Sequence, residues 1–306
     1  MSGPREEAGA VAADRLDVRK TFKLFIGGAF PRSESGRSFV VNDAAGRFWA
    51  NASLASRKDA RDAVVAARRA QPGWAGRTAY NRGQVLYRVA EVLEGRRAQF
   101  AAEVARGEGL PAAEAAAVVD ATVDRWVWYA GWADKVGQVL GSTNPVAGPY
   151  LNLSTPEPTG VVAVIAPPES SLLGLVSVLA PVLVTGGTTV VLASERVPLP
   201  AVTLAEVLVT SDVPGGVVNV LTGRVAEVAP WLASHLDVDA LDLTGAGGID
   251  DGEAADLATE LEAAAAGNLK RVRRPPAAAE DWTADPGLDR LRWTLETKTV
   301  WHPVGV

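Results

Sequence analysis

An open, mostly parallel α/β sheet of about five strands is the fold class this sequence predicts, and three observations carry it. The first is the stretch Glu157–Glu195. A β-branched run (Val161–Ile165) breaks there at Pro167-Pro168, a small-residue helical segment follows, and a second run (Thr188–Leu192) closes the unit. Strand, crossover and strand in that order seed a parallel sheet. The second is repetition: extended runs at Val217–Val220, Ala240–Leu243 and Leu269–Val272 alternate with helical patterns at Ser171–Thr185, Leu199–Thr210, Val225–His235 and Asp250–Ala266. The third is composition, since 306 residues that are 48% hydrophobic and 22% charged can bury a sizeable core.

Residues 1–20 mix charges and small residues without periodicity and read as a flexible tail. Leu24–Ile26, Gly27-Gly28 and Ala29–Pro31 read as strand, turn and strand, and Ser38–Val41 resumes the extended pattern before a turn at Asn42–Gly46. Ser56 with Asp59 three positions on marks a helix start, with Ala60, Ala63, Val64 and Ala67 as its apolar face and Pro72-Gly73 as its stop. A long helix is expected from Thr78 to Arg106, and another over Ala112–Val139. On the latter, Trp126, Trp128, Tyr129 and Trp132 recur at helical spacing, which favours packing in a core or interface over base or sugar stacking. A strand is expected at Tyr150–Ser154. Beyond the sheet, residues 273–290 are proline- and alanine-rich and read as a linker, and Leu291–Trp301 (LRWTLETKTVW) reads as a long alternating strand with no obvious place in the parallel sheet. Such a strand is expected to add to another sheet, in a partner subunit among other choices.

Charge and composition remove several functions. A net charge of −6 offers no basic excess for nucleic acid or anionic lipid. The longest uncharged apolar stretch, Leu172–Thr185, is too short to span a bilayer, and the N-terminal segment has no signal-peptide core, so a cytoplasmic protein is expected. There is no cysteine and there are two histidines, His235 and His302, which removes a thiol nucleophile and a histidine-rich metal site. His235 and His302 read as capping or surface residues. Asp250-Asp251-Gly252-Glu253 lacks the spacing of a calcium loop and reads as favourable charge at a helix start, so no metal site is expected.

In open parallel sheets ligands sit beyond the carboxyl ends of the strands, here the Ala166–Ser171 and Ala193–Glu195 turns. Glu169 reads as a solvated loop carboxylate, and Ser170 and Ser171 as caps for the helix they precede.

Taken together, several short tracts resemble the aldehyde dehydrogenase superfamily. Leu24–Phe30 (LFIGGAF), Val85–Ala90 (VLYRVA), Tyr129–Asp134 (YAGWAD), Glu157–Ile165, Gly187–Leu192, Ser194-Glu195, Pro214–Gly223 (PGGVVNVLTG), Leu243–Gly245 (LTG) and Asn268–Val272 (NLKRV) fall in that family's order, over roughly residues 22–272. The resemblance implies a cofactor-domain-like region over 21–272, Rossmann-like, with N-terminal helices, an oligomerisation hairpin at about 140–158 and an oligomerisation strand at 291–306. In the family NLKRV leads into a Glu-Leu-Gly-Gly segment that carries the general base. Arg273-Arg274-Pro275-Pro276 stands in its place, and the expectation is a truncated member whose catalytic domain is replaced by the 273–290 linker. The degenerate second copy of two-domain members is the nearest analogy.

By the same resemblance Glu169 falls on the asparagine that donates to the oxyanion, where a carboxylate repels developing negative charge. Nucleophile, base and oxyanion donor are then all missing, so no catalytic residue is assigned. A remnant dinucleotide site is expected at Ile165, Ala166, Pro167, Ser194, Glu195, Gly223, Thr244 and Gly245, with Ala193 in place of a ribose-binding lysine, Val225 in place of a glycine and Ala246 in place of a serine. No cofactor is required on this reading, although NAD or NADP is what such a cleft takes. Assembly is expected through Tyr150, Leu151, Leu153, Leu295, Thr297, Thr299 and Trp301, with a second copy or with a full-length aldehyde dehydrogenase. The leading expectation is a structural or regulatory subunit. The alternatives are an NAD(P)-dependent aldehyde oxidoreductase active only in a complex, and a dinucleotide-binding module without catalysis.

Overall fold

The computed structural model describes residues 19–247 and 253–304. The N-terminal part forms a small sheet, β1 (Thr21–Phe22), β2 (Ser38–Asn42) and β3 (Phe48–Ser53), in the order β1-β3-β2. Helices α1 (Arg57–Ala75), α2 (Ala79–Gly95), α3 (Arg97–Glu108), α4 (Ala112–Trp132) and the short α5 (Val136–Leu140) follow. β4 (Ser142–Asn144) and β5 (Tyr150–Pro158) form a hairpin, after which strands and helices alternate: β6 (Val161–Ile165), α6 (Leu173–Thr185), β7 (Thr188–Leu192), α7 (Leu199–Thr210), β8 (Val218–Leu221), α8 (Val225–Ser234), β9 (Ala240–Asp242), a 3₁₀ turn at Thr244–Gly247, α9 (Glu253–Ala265) and β10 (Arg271–Arg273). The chain ends with α10 (Asp289–Trp293) and β11 (Leu295–Pro303).

The expected parallel sheet is present with five strands in the order β10-β9-β6-β7-β8. β6 has β7 on one side and β9 on the other, so the direction of winding reverses between β6 and β9. Both faces of β6, β7, β8 and β9 are buried, as an all-parallel sheet requires, and the edge strand β10 is half-buried. Val162 and Val164 of β6 point into one core with α2, α4, α6 and α7, while Val161, Ala163 and Ile165 point into the other with α1, α8 and α9. All 13 residues of α6 are buried, which is why it reads as an unbroken apolar run.

The opening hairpin forms as expected. Gly27 and Gly28 take φ values of 64° and 87°, and Ile26 and Ala29 exchange both backbone hydrogen bonds. Its Phe25 also exchanges two hydrogen bonds with Val220, sealing the β8 edge of the main sheet. The Ser56–Asp59 capping box is complete.

Several boundaries differ. α1 runs through Pro72 to Ala75, because Trp74 is buried and its indole N–H donates to the Leu183 carbonyl at 2.9 Å. That anchorage outweighs the lost proline hydrogen bond. The helix expected over Thr78–Arg106 breaks at Arg96, directly after Gly95, into α2 and α3. A turn at Ala133–Lys135 likewise divides the one expected over Ala112–Val139 into α4 and α5. The strand expected to begin at Leu291 begins at Leu295, after the single-turn helix α10. It pairs within its own chain: all nine residues of β11 lie antiparallel to β5, in the order β11-β5-β4. The segment read as a linker is packed, with Trp282 only 8% exposed.

Candidate functional site

The eight residues expected to outline a dinucleotide cleft come together at the carboxyl ends of four neighbouring strands. Ile165 ends β6, and Ala166 and Pro167 follow it; Ser194 and Glu195 follow β7; Gly223 follows β8; Thr244 and Gly245 follow β9. The reversal of winding between β6 and β9 makes this end the crevice where such sheets bind ligands.

The polar side chains among them are engaged by neighbouring groups of the same chain. Ser194 donates its hydroxyl to the Pro168 carbonyl at 2.9 Å and accepts the Val197 N–H at 3.1 Å, tying the β6 and β7 turns together. Thr244 donates its N–H (2.9 Å) and its hydroxyl (2.5 Å) to Asp242 Oδ1. Gly245 lies so close to β6 that a Cβ there would stand 2.0 Å from the Ala166 carbonyl oxygen, so the two turns meet backbone to backbone. Only glycine fits.

Glu195 shows the change most directly. One carboxylate oxygen pairs with the Arg224 guanidinium at 2.5 Å, and the other accepts the Val225 N–H at 3.0 Å. Val225 opens α8, so the carboxylate occupies the positive end of that helix. A ribose or pyrophosphate entering here meets a carboxylate that is already paired and a helix N–H that is already satisfied. In this arrangement a dinucleotide has to displace the Arg224 and Val225 contacts of Glu195 to enter.

Beside the β6 turn, Glu108 of α3 accepts both the N–H (2.8 Å) and the hydroxyl (2.6 Å) of Ser171. Burial pushes the Glu108 carboxyl up, against the lowering pull of those two hydrogen bonds and of Arg196, while the Glu169 charge adds to the rise. Ser171 therefore holds α3 instead of capping α6. Ser170 does cap, accepting the Gly174 N–H at 2.9 Å. Glu169 is exposed on the turn.

The remaining candidates separate by burial. Trp126 and Tyr129 are fully buried core residues and present no interface; Trp128 and Trp132 are half-buried beside them. On the β5–β11 sheet Tyr150, Leu151 and Trp301 are exposed, and Tyr150 meets Trp301 edge to face at 5.8 Å. Thr297 and Thr299 are exposed and Leu153 is half-buried. Leu295 does not belong with them, because it is packed into the main core. His235 ends α8 and accepts the Asp237 N–H on Nδ1 at 3.2 Å; burial lowers its pKa against the pull of Asp237. His302 is exposed on β11. Asp250–Gly252 lies outside the described residues.

Sequence reasoning missed Asp242, Arg224 and Arg290. Asp242 is 2% exposed at the end of β9, 3.4 Å from the equally buried Arg290. A charged residue inside a strand otherwise reading ALDL was the available signal. Among the described residues no helix is long and apolar enough to cross a membrane.

Comparison with known proteins places this architecture. The model of the aldehyde dehydrogenase family matches residues 30–272. Retinal dehydrogenase 2 of Gallus gallus is 36% identical over 267 residues, covering 84% of this chain and 48% of that protein. Cytosolic aldehyde dehydrogenase 1 of Elephantulus edwardii is 34% identical over 260 residues, covering 82% and 49%. Among solved structures, the NAD+ complex of an aldehyde dehydrogenase from Bacillus cereus superimposes with a TM-score of 0.76 at 29% identity, over 83% of this chain and 50% of that one. The chain thus spans about half the length of the curated relatives it matches. A family match across most of the chain, relatives above 30% identity and a shared parallel sheet lead to one assignment: this chain belongs to the aldehyde dehydrogenase family.

Proposed function

We propose that this chain is a non-catalytic member of the family, acting as a structural or regulatory subunit that assembles with a second copy or with a full-length aldehyde dehydrogenase. The observation that carries the reading is the state of the cleft. Its polar groups satisfy one another, with Glu195 engaged by Arg224 and by the start of α8. Two features of the sequence agree. The chain has no cysteine to attack a carbonyl, and Glu169 stands on the turn where a donor to the oxyanion is needed. No cofactor is required for such a role, and the cytoplasm is its expected setting. The surface offered for assembly is the β4–β5–β11 sheet, where the edge strand β11 exposes all but its first residue.

The test is light scattering on the purified chain, alone and mixed with a full-length aldehyde dehydrogenase, beside an assay for aldehyde-dependent NAD(P)H formation. An assembly larger than a monomer in at least one case, with no turnover by the chain itself, is expected. A monomer under both conditions overturns the reading, and turnover appearing in a complex but lost with Glu195→Gln favours a split oxidoreductase instead.

One observation favours a second reading as a dinucleotide-binding module. The Glu195–Arg224 pair is partly exposed, at 31% and 56% of the two side chains, so it can exchange partners with water or a ligand. Binding to the native state alone must raise the melting temperature, so no shift with NAD, NADH or NADP dismisses it.

A further inference from the structure

The family match ends at residue 272, yet the chain beyond it is not loose. β9 and β10 form one side of the parallel sheet, and α8 and α9 pack against one of their faces. The opposite face needs a cover too, because a strand in a parallel sheet is buried on both sides. Leu291, Trp282 and Leu295 supply it, entering the same core as Ala240 of β9 and Val162 and Val164 of β6.

Two buried arginines hold this segment down. Arg125 of α4 donates to the carbonyls of Trp282 (2.7 Å) and Ala284 (2.9 Å), and its other terminal nitrogen donates to Ser177 of α6 (2.7 Å). Arg290, from the segment itself, pairs with Glu280 at 2.6 Å and with Asp242 at 3.4 Å, and lies 5.2 Å from the Trp282 ring centre. At the far end Arg271 of β10 donates to the carbonyls of Trp293 (3.0 Å) and Leu295 (2.5 Å), and Thr185 donates to Thr294 at 3.2 Å. The near end reaches the start of α6, where a Cβ on Gly174 would stand 3.1 Å from Trp282 Cε2.

We infer that residues 280–294 are a built-in cover for the second face of β9 and β10, so that the unit is sealed by its own chain and a separate catalytic half finds no free surface there. A partner that binds this chain must then engage another surface. The inference stands on the packing beyond residue 272 and holds whether or not the cleft binds a nucleotide.

Hydrogen exchange on the unmodified protein tests it directly. Amides of 288–294 should be protected to the same degree as those of β9 and β10 and open with them as one unit. Trp282→Ala, and separately Leu291→Ala, should raise exchange in β9 and β10 more than tenfold while β7 and β8 keep their protection. Two results overturn the inference: unprotected 288–294 amides above a still-protected β9 and β10 in the unmodified protein, or unchanged β9 and β10 in both variants. If either variant fails to fold, the unmodified protein still decides.

Discussion

Two carboxylate–arginine pairs stand near the carboxyl end of one sheet, and their surroundings give them opposite characters. Glu195–Arg224 leaves 31% and 56% of its side chains exposed, whereas Asp242–Arg290 leaves 3% and 7%. The first pair is short and screened by solvent, so it contributes little to stability and can change partners. The second is longer but buried, and its value lies in what happens when one member is removed: an uncompensated charge remains inside the core. Bond length therefore ranks the two wrongly. Burial ranks them correctly.

The sharpest way to break this comparison is Arg290→Met. It strands Asp242 in the core and should lower the unfolding free energy by about 3–5 kcal/mol, read by urea denaturation. A loss below about 1 kcal/mol would mean that water reaches Asp242 and that the two pairs are alike. Adding Asp242→Asn should restore part of the loss, with a coupling energy of roughly 1–3 kcal/mol in the double-mutant cycle.

Glu108 lies between the extremes, a half-buried carboxylate served by a serine instead of an arginine. Ser171→Ala removes one of its two hydrogen bonds and should cost about 1–2 kcal/mol. Its pH dependence has a definite sign. The folded pKa is raised above the ordinary 4.5, so the associated stability is full below that value and is lost as pH rises through the raised pKa. The serine hydroxyl opposes the rise, so the variant should lose more stability over that interval than the parent, as melting curves across the acidic range will show.

The smallest effect is expected from Arg224→Ala, below about 1 kcal/mol in stability and fading with added salt. A variant that melts several degrees lower at high salt would place this pair with the buried one.

How much of this was legible follows the same division. Strands β6 and β7 and helix α6 stand out because sheet and helix are buried on all sides and read as continuous apolar runs. The capping box at Ser56 and the glycine pair at Gly27-Gly28 are local chemistry that a sequence displays. The path of α1 through Pro72 was not legible, since the anchor for Trp74 is a carbonyl more than a hundred positions away. The self-satisfied cleft was half legible. Glu195 was identifiable, but its partner Arg224 lies 29 positions on and became its neighbour only through the parallel pairing of β7 and β8. The cover was hidden most completely. Proline and alanine around Arg274–Ala279 resemble a linker, and nothing local announces that Trp282 and Arg290 will be buried.

The hydrogen bonds between Phe25 and Val220 bear on the order in which the molecule is made. The opening hairpin emerges early from the ribosome, but the strand edge that receives it arrives nearly two hundred residues later. β5 likewise waits for β11, with Leu151 opposite His302. Contacts this distant in sequence pay their loop-closure entropy before they gain anything, which makes them late and slow. During synthesis the helices and the β6–α6–β7 unit can settle while both stitches remain open. For that interval the nascent chain shows two unpaired edges, the state in which an exposed strand is most open to mispairing.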